Sequence, residues 1–93
     1  MNTSQKYFML VAEELCISSA SQKVFISPQS MSAHIKRLEQ DYGVQLFTRK
    51  PKMSLTPEGQ ILYDALKKIQ LMETDVTKQL DNIGKGLAGT VKF

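Results

Sequence analysis

The side chains with the most chemistry in this chain crowd into one stretch and its near neighbour. Ser27, Gln29, Ser30 and Ser32 supply hydroxyls and a carboxamide, Lys36 and Arg37 follow with cations, and Arg49, Lys50 and Lys52 form a second basic cluster. Closely spaced hydroxyls suggest a nucleophile, but no base and orienting acid accompany them. His34 and Cys16 are the only histidine and cysteine, which argues against a metal site and excludes an internal disulfide. There is no glycine-rich phosphate loop. What remains is non-covalent: amides and hydroxyls suited to base edges, cations suited to phosphates. The expectation is a protein with no catalytic residues, no metal and no cofactor.

The elements that hold these residues are legible from spacing. Phe8, Val11, Ala12 and Leu15 recur at helical intervals, predicting a first helix over 4–15 capped by Thr3 or Ser4. Ser18 or Ser19 can cap a short helix reaching about Val24, and Ser19 with Gln22 fits a capping box. Ser27 caps the next helix, Pro28 takes its first position, and Gly43 ends it after Tyr42. A short helix, a tight break and a helix with a polar outer face form the helix-turn-helix layout. Val44–Phe47 and Met53–Leu55 alternate apolar and polar residues around a basic tip, predicting two short strands and a wing over 48–54. Thr56-Pro57-Glu58 is a strong helix start. The fold class is therefore mainly α: a winged helix-turn-helix followed by a long carboxy-terminal helix.

On the helix over 28–42, Met31, Ile35, Leu38 and Tyr42 gather on one side and are expected to face the core. Gln29, Ala33, Lys36 and Gln40 point the other way, flanked by Ser32 and Arg37. An ordinary solvated face explains most such arrangements, but the small pair Ser32 and Ala33 stands where such a face usually carries Glu and Lys. Small residues permit close approach, Gln can read base edges, and cations meet phosphates, the order required of a helix entering the major groove. The expected DNA contacts are Ser27, Pro28, Gln29, Ser30, Ser32, Ala33, Lys36 and Arg37, with Arg49, Lys50 and Lys52 in the wing and Thr56 beyond it. His34 is expected at the polar edge of the buried stripe.

From Glu58 onward Leu62, Leu66, Ile69, Met72, Val76, Leu80 and Ile83 form a heptad-like seam. Such a stripe can pack on its own domain or pair two copies. It is longer than so small a domain can cover, which favours pairing. The expected organisation is a DNA-binding unit over 1–57, a dimerisation helix over 58–84, and a hinge with the start of a further domain over 85–93, where Gly86 and Gly89 precede Thr90-Val-Lys-Phe93.

Totals set looser bounds. Ninety-three residues carry one modest core, and 12 Lys plus Arg against 9 Asp plus Glu give +3, which suits a polyanion without requiring one. Cys16 between Leu15 and Ile17 is expected to be a buried, inert thiol. Glu13 and Glu14 break the amino-terminal apolar run, so neither a leader nor a membrane segment is expected, and a cytoplasmic location follows.

These residues resemble the amino-terminal domain of LysR-type transcriptional regulators of bacteria, over nearly the whole chain. Phe8, Val11, Ala12 and Glu13 fit the family's first helix, and Ala20 its second. Ser27, Ser32, Ile35, Leu38 and Glu39 fit the motif helix, and Gly43, Leu46, Phe47, Arg49, Leu55, Thr56 and Gly59 the region beyond. The chain departs from the family in having Ser27-Pro28-Gln29 where Ser-Gln-Pro is common, and Ala33 at a common contact position. The resemblance implies sequence-specific binding to double-stranded DNA at an interrupted inverted repeat. It also implies an antiparallel homodimer through the linker helix, or a tetramer in the full-length protein, and a small-molecule effector held by a separate carboxy-terminal domain. A winged helix used as a protein-interaction module is the competing class. Salt-dependent binding to duplex DNA separates the two, because phosphate contacts release counterions.

Overall fold

The computed structural model describes residues 1–86. Helix α1 spans Thr3–Glu14, α2 Ile17–Lys23, α3 Pro28–Tyr42 and α4 Pro57–Gly86, with strands β1 (Phe47–Thr48) and β2 (Ser54–Leu55) between α3 and α4. This is a winged helix-turn-helix with a long final helix. Two caps differ from the expectation. Asn2, not Thr3 or Ser4, closes α1 in a capping box with Gln5, because a carboxamide at that position reaches the Gln5 amide at 2.8 Å. Helix α2 starts at Ile17 with Cys16 in the cap position, so the Ser19–Gln22 box does not form.

The reason lies one residue earlier. Leu15 takes a left-handed conformation (φ 51°) and its amide bonds back to the Val11 carbonyl, so the chain turns before α2. That turn leaves Cys16 exposed rather than buried. Hydrogen bonds from the Ser19 side chain and backbone hold its thiol below the ordinary thiol pKa.

Helix α3 follows the sequence closely. The Ser27 hydroxyl accepts the Ser30 amide at 3.1 Å, Pro28 occupies the first turn, and Gly43 ends the helix with φ 69°. Met31, Ile35 and Leu38 are buried, and join Phe8 and Val11 of α1, Ala20 of α2, Leu46, and Phe47 of β1 in one core. Phe8 and Phe47 rings meet at 5.5 Å. Tyr42 is not in that core: it is 46% exposed, and its hydroxyl accepts the Gln5 side chain at 3.0 Å. It lies in the last turn of α3, at the rim of the contact with α1. His34 sits half-buried at the edge, as expected, bonded to Ser4 at 2.9 Å and edge-on to Tyr7.

The strands are shorter than expected, two residues each, antiparallel with Phe47 opposite Leu55 and Thr48 opposite Ser54. Val44–Leu46 stays outside the ladder because the Leu46 amide bonds to the Glu39 carboxylate and the Leu46 carbonyl accepts the Thr56 amide. Gly59 lets α4 settle there: a Cβ on it would collide with the Leu46 carbonyl oxygen.

The first turns of α4 belong to the domain, so the core does not stop at residue 57. Leu66 is 3% exposed and Leu62 is half-buried, both packed against the winged-helix core. Tyr63 donates to Glu13 at 2.8 Å, and the Met1 ammonium lies 3.7 Å from Glu73, clasping α1 along α4. Glu13 therefore keeps the Tyr63 hydroxyl protonated above its ordinary range. On another face of α4 Ile69, Met72, Val76, Leu80 and Ile83 are exposed, and so are Ile61 and Ala65 at the start of the helix. The open stripe thus runs Ile61, Ala65, Ile69, Met72, Val76, Leu80, Ile83. Its steps of 4, 4, 3, 4, 4 and 3 repeat every 11 residues, not every seven as the sequence pattern suggested. No helix among the described residues is long and apolar enough to cross a membrane. The hinge expected over 85–93 lies largely outside the described residues, and α4 continues through Gly84 to Gly86.

Candidate nucleic-acid interface

Helix α3 and the base of the wing enclose an open groove of about 820 Å³, lined by Pro28, Gln29, Ser32, Ala33, Lys36, Glu39 and Arg49. Six of these seven are residues singled out from sequence, and the groove brings Arg49 to the face that carries Gln29 and Lys36. Small side chains at Ser32 and Ala33 keep its centre open. Gln29 lies in the first turn, where it projects a group that both donates and accepts. The amino end of α3 adds the positive end of the helix dipole, favourable to phosphate.

Ser27, Lys50 and Lys52 are exposed beside the groove: Ser27 at the start of α3, the two lysines in the wing beyond Arg49. Ser27 donates its hydroxyl proton to Ser30 at 3.0 Å, which leaves the Ser30 hydroxyl proton free for an outside acceptor. Ser30 and Arg37 are exposed on the adjoining flank of α3 and do not line the groove. Between the strands the Thr48 and Ser54 hydroxyls bond at 2.8 Å and fix the stem of the wing.

Thr56 is corrected. Its hydroxyl donates to the Gln45 carbonyl at 2.6 Å and accepts the Gly59 amide at 2.9 Å, and the residue is buried. The hydroxyl caps the first turn of α4 through the Gly59 amide and ties that turn to the segment before β1 through the Gln45 carbonyl.

Glu39 is the residue that sequence reasoning passed over. A carboxylate in a groove otherwise lined by small, polar and cationic groups repels phosphate, yet its Oε2 accepts the Leu46 amide at 2.8 Å. It ties α3 to the segment that leads through β1 to Arg49. Its signal was an acidic residue interrupting a basic face four residues before the glycine stop.

Residues 3–60 match the family described as bacterial regulatory helix-turn-helix protein, lysR family. The chain is 35% identical to the transcriptional regulator XapR of Escherichia coli over 89 residues, covering 95% of this chain and 30% of XapR. Its fold superposes on the BenM DNA-binding domain in complex with benA site 1 DNA with a TM-score of 0.83 and 28% identity, covering 92% of this chain and 99% of that one. BenM is a regulator of Acinetobacter baylyi. Full-length LysG of Corynebacterium glutamicum, with effector Arg bound, aligns with a TM-score of 0.78 at 28% identity over 88% of this chain and 29% of LysG. The chain spans less than a third of XapR and LysG. With the family match covering most of the chain, and the helix-turn-helix, wing and long helix in place, the chain belongs to the lysR family of bacterial regulatory helix-turn-helix proteins.

Proposed function

We propose that this chain binds double-stranded DNA sequence-specifically as the DNA-binding part of a transcriptional regulator. Helix α3 enters the major groove amino end first, and the wing lies on the backbone or in the minor groove. The observation that carries this reading is the groove itself, whose lining joins Gln29, Ser32 and Ala33 to the cations Lys36 and Arg49. A reader needs small or amide-bearing residues at the base edges and cations at the phosphates on either side. The likeness to the BenM DNA-binding domain in complex with benA site 1 DNA supports duplex DNA as the partner.

In this assignment Gln29 reads a base, Ala33 meets a thymine methyl, and Lys36 holds a phosphate or a guanine. Ser27, Pro28, Ser30, Ser32 and Arg37 position the helix, and Arg49, Lys50 and Lys52 hold the flanking backbone. A second copy pairs through the exposed part of α4, so that two α3 helices address an interrupted inverted repeat. A small-molecule effector is assigned only to a domain outside this chain.

The test is anisotropy with labelled duplexes tiled across the regulator's own promoter region, repeated over a range of salt. A preferred site, and an affinity falling steeply and linearly in log–log form with salt, is the expected result. Equal, salt-insensitive binding to every duplex would overturn the proposal.

A further inference from the structure

Glu39 lines two grooves at once. It stands in the α3–wing groove with Lys36 and Arg49, and with Lys36, Gln40 and Gly43 it also lines a smaller groove of about 360 Å³ at the end of α3. Its carboxylate therefore lies on the wall the two share. The residue is half-buried, and the 2.8 Å bond from the Leu46 amide to its Oε2 holds it there. A glutamate on an open helix face can swing away from an approaching anion. This one cannot do so without giving up that bond.

Nor is the charge cancelled by an ion pair. Those among the described residues join Met1 to Glu73, Lys23 to Glu14 and Lys67 to Glu13, and none includes Glu39, Lys36 or Arg49. The two groove cations are exposed on long side chains, able to reach phosphates at the rim, while the anion is fixed to the wall. The junction with Leu46 calls for an acceptor, not for a negative charge, and the oxygen of a glutamine amide would serve. The charge is thus surplus to the junction, and in a protein that binds a polyanion it opposes binding.

Such opposition is useful where it falls unequally. Binding to arbitrary DNA is almost wholly attraction to phosphate. A chain resting on the backbone in that way would set a phosphate in the lining shared by Lys36 and Arg49, against the carboxylate. With α3 seated in the major groove the same lining meets base edges, where adenine and cytosine carry amino donors, and phosphates are left to the rims. A fixed carboxylate disfavours the first arrangement more than the second. We propose that Glu39 is a specificity-determining residue: it denies the α3–wing groove to phosphate, so that operator DNA keeps its affinity while other DNA loses some. The proposal rests on the DNA-binding reading above and adds a residue whose charge weakens the wrong complexes.

Glu39→Gln in the full 93-residue chain removes the charge and keeps an oxygen for Leu46. Anisotropy over a salt series compares the duplex preferred in the promoter tiling with one of unrelated sequence, and circular dichroism checks the fold. Unrelated DNA should bind roughly three- to tenfold more tightly. Its salt slope should steepen by up to about one unit, while operator affinity moves by less than about twofold. Glu39→Asp is the converse variant, keeping the charge and shortening the reach to Leu46. It should melt earlier yet hold the ratio of the two affinities. An equal rise for both duplexes with Glu39→Gln would make the carboxylate a uniform brake, and unchanged binding of unrelated DNA would leave it only the tie to Leu46. Either result overturns the proposal. So does a ratio that falls as far with Glu39→Asp as with Glu39→Gln, which would trace discrimination to the tie. An unmodified chain that binds both duplexes equally, at every salt, fails the DNA-binding reading itself and needs no variant to be recognised.

Discussion

Glu39 on α3 accepts the Leu46 amide at 2.8 Å, and through that bond the groove-facing side of α3 is tied to the segment leading into the wing. The Leu46 carbonyl in turn accepts the Thr56 amide at 3.0 Å, so Leu46 joins three elements through its backbone alone. Phosphate and base contacts from α3 and from Arg49 can act together only if this junction holds.

Removing the tie should loosen it. Glu39→Ala leaves the Leu46 amide without its acceptor, which should lower stability by about 1–3 kcal/mol, whereas Glu39→Gln keeps an acceptor oxygen and should lose less. Urea unfolding of the two variants measures the difference. Equal losses would mean the carboxylate's charge, not its acceptor, is what matters.

Gly59 faces the same junction from α4. Adding a methyl drives it into the Leu46 carbonyl oxygen and against Leu55, and backbone cannot swing aside as a flexible side chain can. Gly59→Ala should cost about 1–3 kcal/mol despite the better helix propensity of alanine. A rise in stability would show that α4 can slide away from Leu46 freely.

Phe25, in the turn of the helix-turn-helix motif, holds φ 58° and is 93% exposed. Its ring buries almost nothing while its Cβ bears the steric cost of the left-handed region, about 1–2 kcal/mol. Phe25→Gly should remove that cost, partly offset by the freedom glycine has in the unfolded chain. The net expectation is a melting temperature several degrees higher, about 4–8 °C for each kcal/mol gained in a domain of this size. A lower melting temperature would reveal a contact that the exposure of the ring conceals.

These positions also mark where the sequence is legible. Helix α3 can be read at both ends because Ser27-Pro28 and Gly43 each have one dominant backbone role, and Met31, Ile35 and Leu38 share a face that only the core can cover. The groove follows, since the opposite face has nowhere else to point. Periodicity cannot separate Leu62 and Leu66 from Ile61 and Ala65, because the two pairs are neighbours on the helix and only the packing of α1 decides which turns inward. Leu15 hides the turn that exposes Cys16, for a large apolar residue in a left-handed cap gives no glycine-like signal. Thr56 reads from sequence as both a cap and a DNA contact, and only the fold reveals that its proton goes to Gln45 while one lone pair takes the Gly59 amide.

In the wing, Lys50 and Lys52 are exposed and make no ion pair among the described residues. Replacing both by Ala should weaken binding to every duplex alike and reduce the salt slope by about one unit for each phosphate no longer neutralised. Anisotropy over a salt series reads this directly, and an unchanged slope would take the wing off the DNA.

Gln29 carries the sharpest expectation. It stands in the first turn of α3 and lines the groove beside Ser32 and Ala33, whose small side chains let the helix approach the bases. Its carboxamide can donate to and accept from one adenine at once, a pairing that no other base reproduces in the major groove. Gln29→Ala should therefore cost about 1–3 kcal/mol against the preferred operator and almost nothing against operators altered at the base it reads. The measurement is a set of duplexes carrying each base in turn at every position of one half-site. A loss of selection confined to one position identifies the base. If affinity falls equally for all duplexes, Gln29 positions the helix on the backbone, and the reading of sequence must be sought at Ala33 and Lys36.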